Sequence, residues 1–136
     1  MSKFKVLDVS TYQRDVDYMK FRADNPDIKG VILRVGFTGW GVAKSKQKDA
    51  MFDTHYYGFK RVGIPIGVYW YSCATSVAEA KEEAALTLEY IKDKPIDFPI
   101  WWDTEDDHNT KNPVASKESQ ASIGERRLTD CAVAYC

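Results

Sequence analysis

The chain has 136 residues, a single-domain length, and its 44% hydrophobic and 13% aromatic content is enough to build a core. Nineteen basic residues against twenty acidic give a formal charge of −1, so no nucleic-acid partner is indicated, and no Lys/Arg cluster suggests an anionic membrane. The segment Met1 to Asp8 lacks the apolar core of a signal peptide and nothing approaches the length of a membrane-spanning helix, so these residues encode no export route.

The pattern predicts a repeated strand-then-helix unit. Phe4 to Val9 is an apolar run that reads as a first strand, and a helical pattern around Val16 to Ala23 is ended by Asn25-Pro26. Gly30 to Phe37, β-branched and bounded by glycine, reads as a second strand. Polar residues from Thr38 to Lys48, interrupted by Trp40, lead to a helical stretch from Asp49 to Arg61 before Gly63. Ile64 to Tyr71 is nearly all apolar, as suits a parallel strand covered on both faces. Ser76 and Glu79 have capping-box spacing and open a helix through Ile91, which Asp93-Lys94-Pro95 stops. Phe98 to Thr104 is the fourth strand. A long polar loop follows from Asp106 to about Gly124, and a last helix, from about Glu125, is still running at Cys136.

Strands alternating with helices predict an α/β fold with a parallel sheet and right-handed crossovers. Residues 1–136 supply about four βα units, half of an eight-stranded (β/α) barrel of the TIM type, and stop in an apolar helical pattern without a glycine cap. They are therefore expected to be the N-terminal part of a single, longer domain. Cys73, Cys131 and Cys136 have neither CxxC spacing nor a His at ligand spacing, and read as buried or incidental thiols. His55 falls in an aromatic helical pattern and reads as a packing residue, while His108 falls in the polar loop. No metal and no other cofactor is implied.

Chemistry concentrates in Trp101-Trp102-Asp103-Thr104-Glu105. In a strand, alternate side chains share a face, which places Asp103 and Glu105 roughly 6–7 Å apart on one side. At an effective dielectric near 20, two like charges at about 6 Å repel by roughly 2.8 kcal/mol, equivalent to about two pKa units. One of the two can then hold a proton near neutral pH while the other is ionised, which is what acid catalysis on a sugar acetal requires. A solvated acidic turn is the bland alternative. The apolar run ahead of it argues against that, because strand ends in parallel α/β folds are where active sites sit.

Taken together, four segments resemble glycoside hydrolase family 25, the lysozymes that cut peptidoglycan. They are Asp8-Val9-Ser10 with Gln13; Val31 to Gly36; Phe59 to Tyr71; and Pro99 to Glu105. Ser76 to Glu83 resembles a helix of the same family. The resemblance spans the whole chain but only about the first two thirds of a typical family domain, so the family's last strands and a further site carboxylate lie outside it. Arg14 stands where the family usually has Gly, so the loop after the first strand is expected to differ.

The resemblance implies an irregular β/α barrel with its site at the C-terminal strand ends. It also implies hydrolysis, with retention, of the β-1,4 bond between N-acetylmuramic acid and N-acetylglucosamine. Glu105 would be the general acid, Asp103 would orient a 2-acetamido group acting as internal nucleophile, and Asp8 would stabilise developing positive charge. Arg34 is expected either to partner Asp8 or another acid, or to touch substrate. Tyr69 matches a family tyrosine whose hydroxyl reaches the site, and Tyr71 shares its phase; core packing is the alternative for both. Trp101, in phase with Asp103, and Trp40, in a β-to-α loop, are candidate sugar platforms.

The implied partner is the peptidoglycan glycan strand, and the implied location of the parent protein is extracellular or at the cell wall. An open half barrel would expose apolar interior, so self-association or a domain-swapped dimer is expected, with weak or absent activity of the fragment itself. Two other readings compete: a non-catalytic glycan-binding module, and a metal-dependent phosphodiesterase using the same three acids as oxygen ligands.

Overall fold

The computed structural model describes residues 3–39, 44–105 and 123–136. Among the described residues five strands and four helices follow one another: β1 Lys5–Val9, α1 Tyr18–Asp24, β2 Ile28–Thr38, β3 Lys46–Lys48, α2 Phe52–Arg61, β4 Ile66–Ser72, α3 Val77–Ile91, β5 Ile100–Thr104 and α4 Glu125–Tyr135. The four long strands form a parallel sheet in the order β1-β2-β4-β5, and the short β3 pairs antiparallel with β2. This is the α/β, barrel-type architecture of successive βα units. No helix among the described residues is long and apolar enough to cross a membrane.

Strand periodicity divides the sheet into two faces. Val31, Leu33 and Val35 of β2 and Ile66, Val68 and Trp70 of β4 point outward under the helices and are all fully buried. Phe52, Tyr56 and Phe59 of α2 close over the first part of this layer, and Ala80 of α3 with Cys131 and Tyr135 of α4 close over Trp70. At about 25 cal/mol per Å² of apolar surface, such burial dominates the stability of a chain this size. Alternate residues point to the other, inner face: Asp8, Ile32, Arg34, Tyr69, Tyr71, Trp101 and Asp103.

At the N-terminal end of that inner face the side chain of Phe98 packs against Gly30 and Gly67. A Cβ on Gly30 would sit 2.4 Å from the ring, so only glycine admits it, and Phe4 meets Phe98 edge-on at 6.3 Å. Between α1 and α2, Gly58 plays a similar part, its missing Cβ replaced by the ring of Tyr18.

Element starts shift from the sequence expectation by up to three residues, and element ends by no more than one. One element is a genuine correction: Lys46-Gln47-Lys48, taken as part of a polar connection, is a strand. It lacks apolar alternation, and its order comes from backbone pairing to Gly36, Phe37 and Thr38. The capping box at α3 is also modified. Ser76 accepts the Glu79 backbone N–H at 3.3 Å, but the Glu79 carboxylate reaches back to the N–H of Thr75 at 2.7 Å and to Lys44 at 3.0 Å. The three cysteines are free thiols: Cys131 buried, Cys73 half-buried and Cys136 exposed. His108 and Trp40 lie outside the described residues.

Candidate active site

Parallel strands in one register bring their C-terminal ends together, and the loops that follow them surround a shared mouth. Here that mouth is a cleft of about 620 Å³ whose walls include Asp8, Arg34, Tyr69, Tyr71, Asp103 and Glu105. Register explains the meeting: Arg34 pairs with Tyr69, and Tyr71 with Asp103, across adjacent strands.

Asp103 and Glu105 share a hydrogen bond. Removal from water, followed by the charges of Glu105 and Asp8, raises Asp103 to about 6 from an ordinary 3.8, and Arg34 only partly offsets this. The pair thus binds one proton more readily than two separate carboxyls would. Tyr69 donates its hydroxyl to Asp8; burial first, then the Asp8 charge, holds that hydroxyl protonated far above its usual range. Asp8 itself is exposed at the cleft rim.

Arg34 is fixed from several sides. Its Nε donates to Asp49 Oδ2 at 2.7 Å, and its guanidinium lies 5.3 Å from the centre of the Tyr12 ring and 4.9 Å from that of Phe37. The Asp49 side chain is wholly buried and also accepts the backbone N–H of Thr11 at 3.0 Å and of Met51 at 2.9 Å. The acid that partners Arg34 is therefore Asp49, not Asp8. Sequence reading missed Asp49; its place just ahead of a helical stretch, where an acid caps free N–H groups, was the available signal.

The loop after β1 is held by a second set of bonds. The Ser10 carbonyl accepts from the Gln13 N–H at 3.0 Å and from His55 Nε2 at 3.1 Å, and Gln13 Oε1 accepts the Ser10 N–H at 2.8 Å. Because a carbonyl only accepts, His55 donates from Nε2, and Nδ1 accepts a hydrogen bond from the Tyr18 hydroxyl at 2.9 Å. His55 is a buried packing residue as expected, with the added task of anchoring the cleft loop. Arg14, in the place where glycine is usual, donates to the Thr11 carbonyl at 3.3 Å, and the chain then turns through Asp15 at φ 57°.

Trp101 is on the inner face in register with Tyr69, but it stands at the open edge of β5, 47% exposed, outside the lining of this cleft. Among the described residues no group of three His, Cys, Asp or Glu side chains is arranged to hold a metal ion.

A parallel sheet of successive βα units is the barrel-type α/β class, and the carboxylates gather at its C-terminal strand ends, the end where such barrels keep their catalysts. The model of the family described as glycosyl hydrolases family 25 matches residues 7–135, and the chain belongs to that family. No curated protein matches it. Among solved structures it is similar to the modular autolysin LytC of Streptococcus pneumoniae, with a TM-score of 0.69 and 23% identity over 94% of this chain and 29% of that one. It is also similar to a muramidase from Trichobolus zukalii, with a TM-score of 0.60 and 23% identity over 94% of this chain and 57% of that one. The endolysin ply40 of a Listeria monocytogenes bacteriophage gives 0.54 and 25%, over 65% and 38%. The chain thus spans well under two thirds of these structures.

Proposed function

We propose that this chain carries the acid pair of a peptidoglycan hydrolase, a muramidase cutting the β-1,4 bond between N-acetylmuramic acid and N-acetylglucosamine with retention. The observation that carries the reading is the hydrogen-bonded Asp103–Glu105 pair in the cleft, whose first proton is held to about pH 6. In the free site that proton rests on Asp103. A substrate 2-acetamido N–H approaching Asp103 needs an ionised acceptor, so binding shifts the shared proton to Glu105, which then donates it to the leaving oxygen. The acetamido carbonyl attacks the anomeric carbon, and Asp103 stabilises the positive charge left on the amide nitrogen. Asp8, held by Tyr69, adds negative potential on the same side. Family membership and neighbours named as an autolysin, a muramidase and an endolysin support the same chemistry, exercised at the cell wall.

The test is reducing-end release from purified peptidoglycan, with products identified by mass spectrometry. Glu105→Gln is expected to lower the rate by about 10²-fold or more while wall binding persists. Equal rates for the two proteins would overturn the reading, and binding with no turnover in either would favour a glycan-binding module. The open cleft of the chain as it stands is expected to turn over slowly.

A further inference from the structure

We propose that Glu83, a buried carboxylate on α3 remote from solvent, is a positioning residue that pins β5 so that Asp103 and Glu105 stay paired in the cleft. The inference deepens the proposed function, because it concerns how that acid pair is held. Glu83 is 0% exposed. Its Oε1 accepts the Thr38 hydroxyl of β2 at 2.5 Å, and its Oε2 accepts the Ser72 hydroxyl of β4 at 2.7 Å and the Trp102 indole N–H of β5 at 2.9 Å. One helix side chain thus ties the last residues of β2 and β4 to the middle of β5, and each tied residue adjoins the site: Thr38 lines the cleft, Ser72 follows Tyr71, and Trp102 precedes Asp103.

The hydrogens are directed. Thr38 Oγ1 already accepts from the Trp70 indole at 3.1 Å, and Ser72 Oγ accepts the Ala74 backbone N–H at 3.0 Å, so both hydroxyl protons turn toward Glu83. Three donors converging on two oxygens favour the ionised acid, since each finds a lone pair there. Burial raises the Glu83 carboxyl above the ordinary range; the three donors and the nearby Lys46, paired with Glu82 at 2.8 Å, offset this only in part. Leaving such a group partly unsatisfied is costly, so the strand ends have little freedom to spread. Among the described residues β5 pairs with one strand, β4, and the clamp adds a constraint from the helix layer.

The experiment is a carboxyl ¹³C NMR titration of Asp103 in the full chain. Glu83→Gln puts an amide donor against a hydroxyl donor, and Trp102→Phe removes the β5 tether while keeping an aromatic ring against Tyr135. Both are expected to lower the Asp103 midpoint from about 6 by on the order of one unit, as the pair separates and takes up water. Ile64→Val, a core loss just ahead of β4 and at the end of that strand away from Ser72, is expected to leave that midpoint in place, which separates positioning from general destabilisation. An unchanged midpoint in Trp102→Phe, or an equal shift in Ile64→Val, overturns the proposal, and Trp102→Phe decides if Glu83→Gln does not fold. The titration needs no turnover, so it stands or falls separately from the muramidase reading.

Discussion

Asp103→Asn is expected to stabilise this protein at neutral pH while removing the acid the site is built around. Asp103 is raised from 3.8 to about 6 in the folded chain. Between those values the folded state binds more protons than the unfolded one, so stability falls as pH rises through that window and stays lower above it. A shift of roughly two units corresponds to a ceiling of about 3 kcal/mol, and because the cleft is open to water about half of that, some 1.5 kcal/mol, is a fair expectation. Asn is neutral at every pH and can donate to Glu105 as the protonated acid does. For 136 residues the unfolding entropy is about 0.29 kcal/mol/K, so the variant should melt about 5 °C higher at pH 7.5 and at the same temperature as the parent at pH 3.5. Thermal melts by circular dichroism at both pH values are the assay. A variant that melts lower at pH 7.5, or shifts equally at both, would refute the claim that Asp103 is held in an unfavourable ionised state.

Asp49→Ala leaves the Arg34 guanidinium, only 10% exposed, without its acid and should cost about 3–5 kcal/mol, lowering the melting temperature by about 10–17 °C; a drop under 3 °C would contradict a buried pair. Gly58→Ala gains up to about 1 kcal/mol of helix propensity but drives a Cβ to 2.3 Å from the Tyr18 ring, which its bond to His55 restrains, so a net loss of about 1–2 kcal/mol in urea unfolding is expected. Adding EDTA to the peptidoglycan assay should leave the rate unchanged, and a loss of rate would instead favour the phosphodiesterase reading. We propose further that the chain self-associates through its open strand edges, where Phe4, Val6, Leu7 and Trp101 are between 38% and 66% exposed; light scattering should give more than the 15.5 kDa of one chain, and a clean monomer would sink this.

How much of this could be seen in the sequence depended on how local the cause was. The run from Ile64 to Tyr71 is buried on most of its length, so its composition alone marked a parallel strand. The strand period put Asp103 and Glu105 on one face, and they are hydrogen-bonded there. Glu83 resisted, since a Glu amid Ala, Glu and Leu looks like one more solvated helix position until Thr38, 45 residues earlier, is found beside it. Asp49 and the strand Lys46–Lys48 were hidden for the same reason: their roles are set by residues from other strands.

The aromatic wedge of Phe98 against Gly30 and Gly67 fills the N-terminal end of the inner face, away from the carboxylates at the other end. A side chain at Gly30 would have to displace that ring, so Gly30→Ala is expected to strain the sheet from the end remote from the cleft lining.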